Sequence, residues 1–442
     1  MPRAQLLRFA VALTLVSVGG ALFAVIFRLA LDQALAFLYG ANSVLEAVRS
    51  LPIPAKLLAP AIGGLLAGLC ARWATRRRGG GGVGEVMEAV VLGRGRISVR
   101  ATLIKAVGSW FAILGGGSIG REGPLIQFGG GLGGALSRAF DLGGTSHRAL
   151  VAAGTAAGFA AAYNTPLAAL LFVTEVVTGV IALDILLPTT IAVPIATAVT
   201  RALVGAGPIY GNRAFAMLSI GELGVYLGLG LLAGLIGVGF IAILGLGERA
   251  FAKAPLPQPY QAAVGGLIVG AIIVLMPEVA GNGYETINLI LDGRLALIAL
   301  IPLILGKAVA TTCSVSSGAP GGVFTPTLLL GAALGAASGH ALTVIAPHWA
   351  APPGAYALVG MAALCAATTH APLMAAVLVF ELSGDYAIVL PLLVATGAST
   401  FVARLLGRQS LYEAELKRRG LVWEETVGGR RVVGFGEPQK PG

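Results

Sequence analysis

The chain has 442 residues, of which 56% are hydrophobic and 11% are charged, whereas an ordinary soluble domain carries about 25% charged residues. Apolar stretches of roughly 20 residues, the length that crosses a bilayer as a helix, recur from Ala10 to Arg404. This composition excludes a soluble protein. The formal net charge of +10 is carried by short loops between the apolar stretches, which indicates membrane topology rather than nucleic-acid binding.

The apolar stretches predict helices rather than barrel strands. They are rich in Leu, Ala, Val and Gly, and they lack the alternation of a membrane strand. The first stretch follows Arg3 and Arg8 and contains Arg28. Its length predicts a retained first membrane helix rather than a cleaved signal peptide. The predicted fold is therefore an all-α integral membrane protein.

An internal repeat of about 200 residues follows the first helix. The string GGLL at 63–66 recurs as GGLI at 265–268, and Lys105 and Pro124 recur as Lys307 and Pro326, all at an offset of 202. We expect two membrane repeats of tilted and broken helices. The predicted segments are an N-terminal part with the first membrane helix at 1–54, a first repeat at 55–200, a connecting segment with a membrane helix at 201–256, a second repeat with the last helix at 257–412, and a short tail at 413–442.

The basic residues indicate that the two repeats are inverted. The loop after the first span of repeat one carries Arg72, Arg76, Arg77 and Arg78, whereas its counterpart at 275–283 has no Lys or Arg. The loop with Arg138 and Arg148 likewise pairs with 340–353, which has none. Because positive loops lie on the cytoplasmic side, equivalent loops are predicted on opposite sides, with chance as the alternative. Inverted repeats place a substrate site near the midplane, at broken helices.

Three glycine-rich breaks interrupt the apolar pattern, at 79–85, 117–124 and 317–326. Glycines permit unwound backbone, and the prolines at 124 and 326 suit the first turn of a helix that resumes after the break. Several helix N-termini meeting at one point form an anion site without a full cation. Close helix packing explains the small-residue runs after the breaks, but it does not explain a glutamate within one of them.

These breaks resemble motifs of the CLC family of chloride channels and chloride/proton exchangers. Residues 120–124 read GREGP, residues 322–326 read GVFTP after SSGAPG, and residues 81–84 stand where the family has GSGIP. The resemblance extends over about residues 10 to 415 and ends near a tyrosine that is similar to the pore tyrosine of the family. It implies a gated, homodimeric anion transporter with one pore per subunit.

The resemblance also implies roles for individual residues. Glu122 would be the gating glutamate, whose carboxylate occupies an anion position until it is displaced or protonated. Residues expected to line the anion path are Gly81, Gly82, Val83, Gly120, Arg121, Gly123, Val323, Phe324 and Tyr412. Chloride is the expected substrate, with nitrate or fluoride not excluded, and no cofactor, metal or nucleic-acid partner is expected.

Two departures from the family pattern bear on the mechanism. Gly81 replaces the pore serine, and the lost hydroxyl donor predicts weaker discrimination between chloride and nitrate. Gly84 replaces the proline of the same motif, which predicts a looser loop. Val176 stands where proton-coupled members carry an internal glutamate, and valine cannot relay a proton. The sequence therefore favours passive or weakly proton-coupled chloride conduction, with a proton-coupled antiporter as the alternative.

Other polar residues in apolar stretches have competing interpretations. Lys105 and Lys307 are candidates for electrostatic support of anion access, or for snorkelling to a helix end. Glu175 and Glu381 are related by the repeat, which favours a structural role, such as pairing with backbone amides, over a role in transport. The GxSxG pattern around Ser118 would suit an intramembrane serine protease, but the density of glycine makes a chance match the better explanation, so an enzyme is not expected.

The expected location is the cell membrane, in contact with lipid, with several membrane passes and both termini in the cytoplasm. The tail at 413–442 contains Lys417, Arg418 and Arg419 and is predicted to be a short cytoplasmic extension. It has no room for the paired CBS domains that follow the pore in many family members.

Overall fold

The computed structural model describes residues 2–75, 82–92, 97–211, 213, 215, 220–347, 351–407, 409–418, 421–426 and 429–435. The predicted all-α membrane fold is confirmed. An antiparallel hairpin in the tail, β1 (Leu421–Thr426) with β2 (Gly429–Phe435), is an addition that the sequence interpretation did not include.

The first half of the described chain consists of helices. They are α1 (Arg3–Tyr39), α2 (Val44–Ser50), α3 (Ile53–Thr75), α4 (Val83–Leu92), α5 (Val99–Leu114), α6 (Glu122–Ala139), α7 (Thr145–Tyr163), α8 (Pro166–Leu171) with a π-helical extension (Phe172–Thr178), and α9 (Leu183–Val204).

The second half begins with one long helix and then repeats this order. Its helices are α10 (Glu222–Lys253), α11 (Gln258–Leu275), α12 (Tyr284–Leu291), α13 (Leu297–Ser316), α14 (Phe324–Ile345), α15 (Pro353–Thr369), α16 (Pro372–Ser383), α17 (Val389–Leu405) and α18 (Leu411–Arg418), with a 3₁₀ turn at Pro277–Val279 before α12. Helices α3 to α9 correspond in order to α11 to α17. The exact segment boundaries predicted from the sequence stay a prediction.

Seven helical stretches in the described part of the chain are long and apolar enough to cross a membrane. Several others, such as Pro372–Ser383 and Val389–Leu405, are apolar but shorter. Leucines on the outer helices face outward: the side chains of Leu187 and Leu305 are 63% and 64% exposed. Apolar exposure of this kind suits a surface that contacts lipid.

The repeat-related helices α7 and α15 form the centre of the molecule. Every residue from 150 to 163 and from 354 to 369 is buried, and most of them are small. A Cβ on Gly129 of α6 would lie 2.0 Å from the Gly154 carbonyl oxygen of α7, and one on Gly360 of α15 would lie 2.3 Å from the Gly331 oxygen of α14. The small-residue runs after the breaks therefore let neighbouring helices touch backbone to backbone.

Each of the three breaks ends where a helix begins, as the sequence predicts. Helices α4, α6 and α14 start at Val83, Glu122 and Phe324. Gly82, Gly116 and Gly318 precede these helices with φ values of 87°, 90° and 94°. Only glycine adopts such a conformation without steric cost. The breaks therefore place three helix N-termini inside the protein.

A reciprocal pair of contacts joins the two halves. The Glu175 carboxylate accepts hydrogen bonds from the amides of Leu373 (3.3 Å) and Met374 (2.6 Å) at the start of α16. Glu381 accepts from the amides of Leu167 (2.9 Å) and Ala168 (2.8 Å) at the start of α8. The predicted pairing of both glutamates with backbone amides is confirmed. Such an exchange is what two copies related by a two-fold axis produce.

Candidate functional site

The second and third breaks meet through their backbones. The Gly120 amide donates to the Gly322 carbonyl at 2.7 Å, and the Gly322 amide donates back to Gly120 at 2.8 Å. This antiparallel bridge brings the N-termini of α6 and α14 to one place. Gly123 also lies here, since a Cβ on it would be 3.8 Å from the Gly322 nitrogen. Converging N-termini favour negative charge because the first amides of each helix have no partner within the helix and the positive ends of the helix dipoles face the same point.

Glu122, the first residue of α6, places a carboxylate at this point and is 1% exposed. A Cβ on Gly120 would lie 2.0 Å from its Oε2 atom, and one on Gly322 would lie 2.8 Å away. Both glycines are therefore needed to admit the carboxylate. The Tyr163 hydroxyl and the Thr325 amide lie close enough to interact with it. Neither carboxylate oxygen has a hydrogen bond of normal geometry among the described residues.

A buried, weakly partnered carboxylate is costly unless its place is one that favours an anion. The amides that converge on Glu122 belong to the breaks that the sequence identified. A free anion of similar size would meet the same donors once the carboxylate moved aside. The arrangement can therefore hold either the Glu122 side chain or an external anion.

Aromatic rings connect this point to the last helix. The Tyr163 hydroxyl pairs with Thr325 Oγ1 at 3.0 Å, and the Tyr163 ring lies 5.6 Å from Phe324, centroid to centroid. Phe159 stacks on Phe172 at 4.6 Å, and Phe172 in turn meets the Tyr412 ring edge-on at 6.3 Å. Tyr412 is buried in the first turn of α18. The rings thus form a continuous wall from Glu122 to Tyr412.

The first break contributes the start of α4 at the Tyr412 end. Gly81 lies outside the described residues. The Gly82 amide donates to Gln127 Oε1 at 3.2 Å, and the Gln127 amide nitrogen donates to the Glu85 carboxylate. Val83, the first residue of α4, is buried. Gln127 therefore fixes the start of α4 against α6.

Arg121 faces a cavity on the other side of Glu122. Its guanidinium lies 5.1 Å from the centroid of the Tyr284 ring, within the range of a cation–π contact. The cavity has a volume of about 470 Å³, and its charged lining consists of Arg28, Asp32, Arg121 and Glu285. Arg121 therefore lies between this cavity and Glu122, its neighbour in the chain.

The two repeat-related lysines are both buried. The Lys307 ammonium donates to the carbonyls of Val279 (2.9 Å) and Gly281 (2.8 Å), in the segment that leads into α12. This contact satisfies the ammonium within the protein rather than by snorkelling to a helix end. Electrostatic support of anion access by Lys105 and Lys307 stays a prediction.

Val176 lies in the π-helical extension of α8 and is 1% exposed. Its neighbour Glu175 is the residue that binds the amides of Leu373 and Met374. The side chain one position before Val176 is therefore engaged at a helix start.

Ser118, the serine of the GxSxG pattern, is bound within the protein. Its hydroxyl pairs with Thr311 Oγ1 at 3.0 Å, and its amide donates to Ser314 Oγ at 3.1 Å. A hydrolytic serine needs a base on its hydroxyl, and threonine is not one. These contacts support the interpretation of the GxSxG pattern as a chance match.

The sequence interpretation missed several residues that the structure brings to the path. Tyr163, Gln127 and Tyr284 contact predicted site residues, yet they lie outside the glycine breaks. Nothing in the periodicity of a buried helix distinguishes a pore-lining tyrosine from a core tyrosine. Only the packing of α7 against the start of α14 assigns Tyr163 to the site.

Comparisons with known proteins agree with this geometry. A family model described as voltage gated chloride channel matches residues 63–404. A putative chloride channel protein, ClcB-like, from Ralstonia nicotianae is 41% identical over 409 residues, which are 91% of this chain and 95% of that protein. The voltage-gated ClC-type chloride channel ClcB of Escherichia coli is 34% identical over 375 residues, covering 84% and 89%. Among solved structures, a slow cyanobacterial Cl⁻/H⁺ antiporter superposes with a TM-score of 0.83 at 26% identity, covering 93% and 97% of the two chains.

Proposed function

The chain belongs to the voltage-gated chloride channel (CLC) family, and on that premise we propose that it moves chloride across the membrane through a pore gated by Glu122, with weak proton coupling or none. The observation that carries this proposal is the Glu122 carboxylate, buried where α6 and α14 begin. A carboxylate in that position imitates the transported ion. The pore is closed while the carboxylate is in place, and it opens when chloride or protonation displaces it.

The remaining residues of the predicted path have supporting roles in this proposal. Backbone amides at Gly123, Val323 and Phe324 offer partial positive charge without a full cation, which lets the ion leave again. The Tyr412 hydroxyl contacts the ion at the other end of the aromatic wall. Arg121 attracts anions from the cavity lined by Arg28 and Asp32.

Weak or absent proton coupling is supported by Val176. A proton that crosses the membrane needs titratable groups along its way, and a buried valine cannot serve as one. Glu175, the adjacent acid, is held by two backbone amides. In this proposal, chloride passes Glu122 without a proton being carried onward through a second titratable group.

A proton-coupled chloride antiporter is the second candidate. Its support is the similarity over almost the whole chain to a structure described as a slow Cl⁻/H⁺ antiporter. The fold is common to both mechanisms, so the architecture does not separate them. Separating them requires a measurement of proton movement.

The deciding experiment uses the purified full-length protein in liposomes with an imposed chloride gradient and a pH-sensitive dye. We expect chloride flux with little or no uphill proton movement. Uphill proton movement at a fixed ratio to chloride would establish the antiporter instead. Absence of any chloride flux would contradict the proposed function as a whole.

Orientation and assembly complete the proposal. The basic residues at 72, 138, 148, 417 and 418 support a cytoplasmic location of the α18 end of the pore by the positive-inside rule. Both termini are then cytoplasmic. A homodimer with one pore per subunit is expected from the family resemblance. Chemical crosslinking in lipid and protease access from one side of the membrane would test these two points.

A further inference from the structure

A second carboxylate lies at the other end of the pore. Glu415 is on α18, one turn after Tyr412, and its Oε2 atom lies 3.4 Å from the Gly84 amide in the first turn of α4. A Cβ on Gly82 would be 3.1 Å from its Oε1 atom, and one on Gly84 would be 2.8 Å from the same atom. The acidic group of Glu415 therefore lies directly against the N-terminal turn of α4.

The glycine at position 84 fits this contact. A side chain at 84 would collide with the Glu415 carboxylate. A proline there would also remove the amide that faces this carboxylate. Glycine in place of the proline of the family motif creates the space that Glu415 occupies.

The position of Glu415 corresponds to that of Glu122. In both cases a carboxylate lies beside the first turn of a broken helix, where dipoles and free amides favour negative charge. Residues three apart on a helix share one face, so Glu415 and the pore residue Tyr412 project in similar directions from α18. A chloride ion that approaches the start of α4 meets a place already held by a negative group.

We propose that Glu415 is a second gate of the pore, whose carboxylate occupies an anion position at the N-terminus of α4 and must be displaced before chloride passes. This inference rests on the proposed function. It assigns the two ends of the path to different acids, Glu122 where α6 and α14 begin and Glu415 where α4 begins. Competition between Glu415 and chloride then weakens chloride binding at the α4 end.

The test measures chloride binding by calorimetry on the full-length protein in detergent and chloride efflux from liposomes. Glu415→Gln keeps the shape of the side chain and removes its charge. We expect chloride binding to tighten by roughly two- to fivefold, the effect of one charge at a helix N-terminus, together with faster efflux. Gly84→Ala displaces the Glu415 side chain by steric contact. We expect it, too, to tighten chloride binding and to speed efflux. The double variant should add nothing further, because both changes remove one contact.

Glu413→Gln is the matched control on the same helix. Its carboxylate accepts from the Ser410 amide at 2.8 Å, away from α4, so its chloride binding should equal that of the wild type. If Glu415→Gln and Gly84→Ala bind chloride as the wild type does while the wild type conducts, Glu415 merely caps a helix and the inference is wrong. If Glu415→Gln does not fold, Gly84→Ala decides by the same readouts. A wild type without chloride flux would instead overturn the proposed function.

Discussion

The Glu122 carboxylate fits its buried position because two residues beside it, Gly120 and Gly322, have no side chain. The backbone bridge between Gly120 and Gly322 lies directly beside this carboxylate. Burial excludes water from the carboxylate, and the helix starts around it favour negative charge. The same position is therefore suitable for a chloride ion.

At this residue scale, Glu122→Gln is expected to remove most of the pH dependence of chloride flux. The protonation of a buried carboxylate depends on the ion beside it, whereas glutamine does not titrate. Efflux from liposomes at a series of pH values measures the effect. Glu46→Gln, whose carboxylate caps α2 at the surface by accepting from the Asn42 amide, is the control and should keep the wild-type profile. A Glu122→Gln variant with an unchanged pH profile would show that another group gates the pore.

Gly322→Ala tests the fit of the carboxylate from the opposite side. The added methyl group would lie 2.8 Å from Glu122 Oε2, so the carboxylate must leave its place. We expect faster and less pH-dependent efflux, with a smaller effect than that of Glu122→Gln. Gly397→Ala is the matched control, since nothing lies within 4 Å of its added carbon. Equal efflux from both alanine variants would contradict the described position of the carboxylate.

At the scale of single elements, the main feature is the set of helix N-termini that lie inside the protein. A helix leaves its first amides without intrahelical partners, and water is not available within a membrane to satisfy them. The short helices α8 and α16 obtain their partners from each other's half, through Glu381 and Glu175. The starts of α6 and α4 instead lie beside the Glu122 and Glu415 carboxylates.

Glu175→Ala and Glu381→Ala are each expected to lower the free energy of unfolding by about 1–3 kcal/mol, because two backbone amides at a helix start lose a charged acceptor. Thermal unfolding in detergent, followed by loss of monodisperse protein, measures the change. The glutamine variants keep an acceptor oxygen and should lie between alanine and wild type. Chloride flux of the folded variants should persist. A Glu175→Ala variant of normal stability that conducts differently would assign that residue to transport instead.

At the scale of the whole molecule, the pore runs between two repeats that share one helix order. The fold supports both passive conduction and exchange, so we expect single buried positions to determine which of them occurs. Val176 is such a position, because it lies in the core at 1% exposure and offers no titratable group.

Val176→Glu is expected to introduce uphill proton movement that the wild type lacks, because it supplies an acid where proton-coupled relatives carry one. The liposome assay with a pH dye measures it. Val177→Glu is the control for burial, since Val177 is 0% exposed and its side chain leaves the π-helical turn in a different direction from that of residue 176. Proton movement of equal size in both variants, or in the wild type, would remove Val176 as the determinant.

The family resemblance implied the gating role of Glu122, which stays a prediction. The sequence alone predicted the membrane helices, the two repeats and the three helix starts. These features are local: apolar length indicates a membrane span, and glycine with proline at 120–124 and 322–326 indicates an interrupted helix. The repeat also predicted that Glu175 and Glu381 pair with backbone amides, although it did not say which ones.

Only the tertiary structure decided which distant residues meet. The Gly120–Gly322 bridge, the amides of Met374 and Ala168 that bind the two reciprocal glutamates, and the contact of Glu415 with Gly84 join residues that are far apart in the chain. The last of these contacts spans 331 residues. Local pattern reflects the preference of a helix for its own neighbours, whereas these contacts depend on how whole helices pack. For that reason the sequence suggested one gating carboxylate, whereas the packing of α18 on α4 placed Glu415 at the start of α4, where we propose a second.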